Sequence, residues 1–136
     1  MANYAILIKT DSYAGNFERE MCAHVTGHTG ECGVGDEYVD ESIAEKFEGY
    51  VSQESDDNGC YRPAALGYDL GYSNDDVVIW FEKKPTQEHI DIIKERLETF
   101  DETRKELQTW GNDAIEVKGI LLLDIKRTKK ITEEII

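Results

Sequence analysis

Cys22, His24, His28 and Cys32, with Cys60 further on, gather soft ligands in the first half of the chain. Thiolate and imidazole groups of this kind hold zinc tetrahedrally, which makes the first four a candidate metal set. Their spacing follows no established zinc pattern. On a continuous helix His24 and His28 share a face while Cys22 points elsewhere, so four-fold ligation requires the helix to break near Gly27. The same residue types also suggest a thiol nucleophile with a histidine base. No cysteine-protease signature surrounds Cys22, Cys32 or Cys60, and an acidic setting raises a thiol pKa rather than lowering it. The plainer reading packs Cys22 and Cys32 as small buried apolar groups and leaves the histidines lining a helix.

Glu54, Asp56, Asn58 and Gly59 match the opening of a calcium loop, where oxygen ligands alternate before a glycine at the sixth position. The match fails at the twelfth position, where Ala65 stands in place of the bidentate glutamate, and the segment reads as an acidic turn. Gly30 to Gly35 is glycine-rich but has neither a Walker lysine nor a preceding strand. Glu31, Asp36 and Glu37 would moreover repel a phosphate. Tyr61, Arg62, Tyr68 and Tyr72 bring together tyrosine and arginine, the types that dominate interface energy, or else serve as ordinary sheet cover.

The strongest compositional signal is charge. The chain of 136 residues has 15 Lys+Arg against 29 Asp+Glu, a net charge of −14, with a pI near 4.5 and a mean hydropathy of −0.55. From Glu20 to Tyr61 there are eleven acids, and Lys46 is the lone lysine or arginine among them. From Lys118 to Lys130 the sign reverses, with Lys118, Lys126, Arg127, Lys129 and Lys130 facing Asp124 alone. A nonspecific nucleic-acid binder needs the opposite balance, because lysine and arginine must neutralise phosphates. The favoured partner is a protein with a basic surface. Asp36, Glu37, Asp40, Glu41, Glu45, Glu48, Tyr61 and Arg62 are the candidate contacts, the acids imitating a nucleic-acid backbone. High charge that merely keeps a small protein in solution is the simpler alternative. No apolar run approaches the length of a membrane span, and the opening residues lack a signal peptide's basic segment and cleavage site. Three cysteines in a chain able to fold unaided suggest reduced thiols, and the expected compartment is the cytoplasm.

The elements that must position these residues follow from apolar periodicity. Tyr4 to Lys9 alternates as a strand covered on both sides. Asn16 is a good N-cap for a helix with Phe17, Met21, His24, Val25 and His28 on one stripe, which Gly27 and Gly30 end, leaving His28 near or in the loop. Val39, Ile43, Phe47, Tyr50 and Val51 predict an acidic amphipathic helix from about Asp36 to Gln53. Cys60 to Gly71 reads as an irregular strand, Ser73 to Asp76 as a turn, and Val77 to Phe81 as a second strand of a hairpin. Thr86 caps the longest helix, Gln87 to Trp110, whose seam of Ile90, Ile93, Leu97, Phe100, Leu107 and Trp110 is interrupted by Arg104. Its spare length offers a surface for self-association or for a partner. Ile115 to Ile125 keeps a period of two through Gly119, arguing for a long or bent strand, and a basic tail starts at about 126. This order predicts one α+β domain over residues 1–136: a split βαβ, ferredoxin-like sandwich with an antiparallel or mixed sheet and an inserted acidic helix.

Three segments together resemble a family of small bacteriophage-encoded proteins of unassigned function. They are the stretch from Tyr4 to Gly35 containing TDSYAGNFERE and GECGVG, then GCYRP from Gly59, then WFEKKPT from Trp80. The resemblance spans roughly the first two thirds of the chain and brings no catalytic motif. It implies a viral context, in which a small acidic protein inhibits or sequesters a host or defence factor by binding it. The functional expectation is therefore a non-enzymatic, counter-defence binding protein with no catalytic residues and no cofactor. The alternative is a small-molecule or zinc-binding protein using residues 22–35.

Overall fold

The computed structural model describes residues 2–28, 36–52, 63–107, 113–125 and 131–136. The described chain is mixed α+β, a five-stranded antiparallel sheet with three α-helices. The strands are β1 (Tyr4–Thr10), β2 (Ala64–Leu66), β3 (Val77–Phe81), β4 (Val117–Asp124) and β5 (Thr132–Ile135). The helices are α1 (Glu18–Thr26), α2 (Glu41–Phe47) and α3 (Gln87–Leu107).

The strand order is β2-β3-β1-β4-β5, so β1 lies in the middle. Its two-sided apolar alternation explains that place, because a central strand must satisfy covers on both faces. Ala5, Ile6, Leu7 and Ile8 are all fully buried. Ile6 and Ile8 join Val77, Ile79, Phe81 and Leu122 beneath Phe17, Met21, Val25, Ile93 and Phe100 of the helical layer. Ala5 and Leu7 face the other way, with Val78 and Leu123, under Leu70, Tyr72, Trp80 and Ile131.

Several expected boundaries differ. Asn16 does not cap α1; it ends a 3₁₀ turn at Ala14–Asn16, and Phe17 occupies the cap position without a side-chain bond. Gly27 does end the helix, at φ 73°. A Cβ there would run into the Asp40 carbonyl and lie 2.6 Å from the Ala44 nitrogen, so glycine also permits the close approach of α2. The acidic helix is much shorter than Asp36 to Gln53, since the segment before it is a separate 3₁₀ turn at Asp36–Tyr38 and Gly49 adopts φ 82° just after it. The irregular strand expected over 60–71 contributes only β2 and the 3₁₀ turn Gly67–Leu70, while its start at 60–62 lies outside the described residues. The expected basic tail contains β5, and residues 126–130 lie outside the described residues. Near the end of α3 Arg104 is completely buried, and residues 108–110 of the expected helix lie outside the described residues.

Candidate functional site

Asp40 sets the geometry of the acidic helix. Its Oδ1 accepts from the Ser42 and Ile43 nitrogens at 3.0 and 3.4 Å and from the Ser42 hydroxyl at 2.7 Å. This is N-capping, which satisfies donors that the first helical turn leaves open. The Ser42 hydroxyl bond leads the effects that hold the Asp40 carboxyl below its ordinary pKa. Asp40 is thus engaged in building the helix, although its charge and position in the sequence place it among the candidate contacts.

The other end of α2 is clamped from behind. Phe47 is buried and its ring stacks on His89 with centroids 4.8 Å apart. The Thr86 N–H donates to His89 Nδ1 at 3.0 Å, so Nε2 carries the proton and donates to the Lys46 carbonyl at 2.6 Å. Lys46 Nζ reaches Glu88 at 3.4 Å. The lone lysine of the acidic stretch is therefore turned toward α3. Beyond the helix, Ser52 donates its N–H to the Trp80 carbonyl at 2.9 Å and Glu82 donates to the Tyr50 carbonyl at 2.7 Å, tying the segment to β3.

What this leaves in solvent is a ridge of Glu41, Glu45 and Glu48, all exposed. Glu41 and Glu45 lie one turn apart on one side of α2, and Glu48 follows directly as its C-terminal cap residue. They border a cleft of about 300 Å³ with His28, Ala44, Phe47 and Val51. None of the three carboxylates is paired with another described residue. Glu37 is also exposed, whereas the Asp36 side chain, Tyr61 and Arg62 lie outside what the structure describes.

The Cys/His candidates have a different environment. The Cys22 thiol is fully buried, and desolvation pushes its pKa up to about 12, opposing the thiolate that either zinc or a nucleophilic role requires. His24 is buried between Tyr38 and Phe100, with ring centroids at 6.4 and 5.7 Å. Thr99 donates its hydroxyl to the Arg96 carbonyl at 3.1 Å, so it accepts from His24 Nε2 at 2.9 Å. The other ring nitrogen faces an Arg96 guanidinium nitrogen at 3.5 Å, and Arg96 Nε donates to the His24 carbonyl at 2.8 Å. Desolvation, reinforced by Arg96, lowers the His24 pKa to about 4, so the ring is neutral at pH 7. His28 borders the acidic cleft instead, its pKa lowered by burial. Cys32, Cys60, the Gly30 to Gly35 loop and the calcium-like turn at 54–59 lie outside the described residues. Among the described residues there is no cluster of three or more His, Cys, Asp or Glu poised to hold a metal.

A second cavity of about 600 Å³ opens between α3 and the β4–β5 edge, lined by Leu97, Ile115, Val117, Ile120 and Ile136 with Lys94 and Lys118. Sequence reasoning missed it, because the alternation from Ile115 to Ile125 continues through Gly119 and marks only a strand. Tyr68 is exposed, while Tyr72 donates its hydroxyl to Glu133 on β5, across the sheet's second face. No helix among the described residues is long and apolar enough to cross a membrane.

The comparisons with known proteins add no relative: no family model, curated protein or solved structure matches the chain.

Proposed function

We propose that this is a non-enzymatic binding protein whose acidic ridge docks onto a basic protein surface, one that normally holds nucleic acid. The observation that carries this reading is the unpaired Glu41, Glu45 and Glu48 ridge on a helix capped by Asp40 and clamped through Phe47, Lys46 and His89. A rigid backing holds the helix backbone in place before encounter, which leaves only the glutamate side chains to be ordered on association. Long-range attraction between the −14 chain and a basic groove speeds the encounter, and the ridge carboxylates provide local complementarity. In the viral context implied by the resemblance, the partner is a host or defence factor that the protein inhibits by occupying its groove. The zinc reading has weaker support, because the Cys22 thiol is buried and both His24 ring nitrogens face protein groups.

The finer architecture proposed is the split βαβ, ferredoxin-like sandwich. Two features support it: β1 and β3 are each followed by a helix of the same layer, and the two strands lie side by side in the order β2-β3-β1-β4. On this reading β5 is an added edge strand and α2 an insertion.

Competition tests the mimicry. The immobilised protein is used to capture partners from bacterial lysate at low salt, and the bound fraction is challenged with duplex DNA. Release of one basic protein by the duplex is the expected result. A captured partner that DNA never displaces would overturn the mimicry.

A further inference from the structure

Backbone pairing leaves one side of β5 open. In the register of β4 and β5, Leu122 faces Glu134 and Asp124 faces Thr132. Continuing that register, the Ile136 N–H donates to the Ile120 carbonyl at 3.1 Å. An antiparallel ladder alternates bonded and non-bonded pairs, so the main-chain groups of Thr132, Glu134 and Ile136 point into the sheet and those of Glu133 and Ile135 point out of it. β5 ends the strand order, its residues are exposed, and no described residue takes up the outward N–H and C=O groups.

Beside this edge the helical layer stops short. A helix is roughly 10 Å wide and strands lie about 4.8 Å apart, so α1 and α3 cover about four strands and leave the fifth bare on their face. The cavity of about 600 Å³ lies there. Leu97, Val117, Ile120 and Ile136, which border the core, line it together with Ile135, 88 % exposed, so the cavity reaches the edge. Groups of both signs stand round it, Lys94 and Lys118 with Glu98, Asp101 and the carboxylate of Ile136, so it offers apolar contact and selects no sign of charge. Glu134 lies opposite Leu122 of the core beneath the helices, which puts its side chain on the cavity's side of the sheet. It is exposed and has no ionic partner among the described residues, whereas Glu133, on the other face, already accepts from the Tyr72 hydroxyl.

We propose that β5 receives an extended segment of a partner protein as a sixth strand, with a lysine or arginine opposite Glu134 and an aliphatic side chain two residues away directed into the cavity. Main-chain bonds to Glu133 and Ile135 supply affinity, and the alternate side chains supply specificity. The cation makes one direct cross-strand pair and needs no net field from its surroundings. A second copy of this chain fits less well, because symmetric pairing centred on Glu133 or Glu134 sets that glutamate opposite its own counterpart. This surface shares no lining residue with the acidic cleft of α2, and either can fail without the other.

The test is an NMR titration of the whole protein with the capped peptide Ac-Thr-Val-Thr-Lys-Thr-Val-Thr-NH2, which carries Val, Lys and Val on one face and reads the same in either strand direction. Saturable shifts are expected at residues 132–136, Val117 and Ile120, with slowed exchange of the Glu133 and Ile135 amides. Glu in place of the peptide's Lys should weaken binding about threefold, the value of one cross-strand pair, and Glu134→Lys should reverse that preference. Ile135→Pro removes an N–H that the sheet does not use, so the protein should stay folded while affinity falls about tenfold. No saturable shift in β5 at millimolar peptide, wild-type affinity in the folded Ile135→Pro protein, equal binding of the two peptides, or self-association of the free protein through β5 would each overturn the proposal.

Discussion

Asp40 and the glutamates after it look alike in sequence but differ in what their loss should do. Asp40→Ala should lower stability by about 1 kcal/mol in urea unfolding, the usual value of an N-cap. Glu45→Gln and Glu48→Gln should leave the midpoint nearly unchanged, because neither carboxylate is paired within the described chain. Gly27→Ala combines a left-handed backbone with a clash against α2. The backbone alone should cost about 1–2 kcal/mol, and the unfolding midpoint should fall accordingly. His24 supplies a pH signature. Its folded pKa, about 4, lies below the ordinary 6.5, so the unfolded chain takes up more protons in that interval. Stability is therefore full above about pH 6.5 and falls as pH drops toward 4, with Arg96 opposing and Asp40 favouring the charged ring. His24→Gln should flatten that slope in urea midpoints measured from pH 7 to pH 4.5. The helix-ending role of Gly27 was legible from its place after an apolar stripe. The use of Asp40 as a cap was not, because a run of acids hides which one precedes the first helical turn.

At the scale of elements, Arg104 explains why a helix seam carries a cation. It donates to Asp101 and to the Asp113 carbonyl, while Asp101 holds the Ile115 nitrogen, so a buried arginine and a half-buried aspartate fasten α3 to the approach to β4. Arg104→Ala empties a fully buried site and removes the partner of the half-buried Asp101, and should destabilise by about 3 kcal/mol in denaturant unfolding, the low end of the range for breaking a buried pair. The strands β1, β3 and β4 were readable because alternation or unbroken apolar runs persist in each. β5 was not: Thr132, Glu133 and Glu134 are exposed, and its pairing depends on β4, which periodicity within the segment cannot express. Tyr72 adds a link from the turn after β2 to Glu133 on this edge. Tyr72→Phe should speed amide exchange in β5 while the global unfolding midpoint stays nearly fixed, since the bonded groups are on the surface.

Over the whole molecule, charge and fold divide the labour. The apolar sheet and the α1–α3 layer form the support, and the short α2, joined to α3 through Lys46–Glu88 and His89, presents its acids outward. Charge asymmetry was visible in the sequence as eleven acids around Lys46. Which of those acids share one ridge became clear only from the helix boundaries and the cap. The most direct test measures partner capture from bacterial lysate by wild type and by a Glu41→Gln, Glu45→Lys, Glu48→Lys variant. Both are washed at about 50 and then about 500 mM salt, which brackets the screening of surface charge. Asp40 is left intact so that the helix remains capped. One basic partner should be retained by wild type at low salt, released at high salt, and absent from the variant when thermal unfolding shows it to be folded. Equal capture by the variant, or retention unaffected by salt, would contradict docking through the acidic ridge.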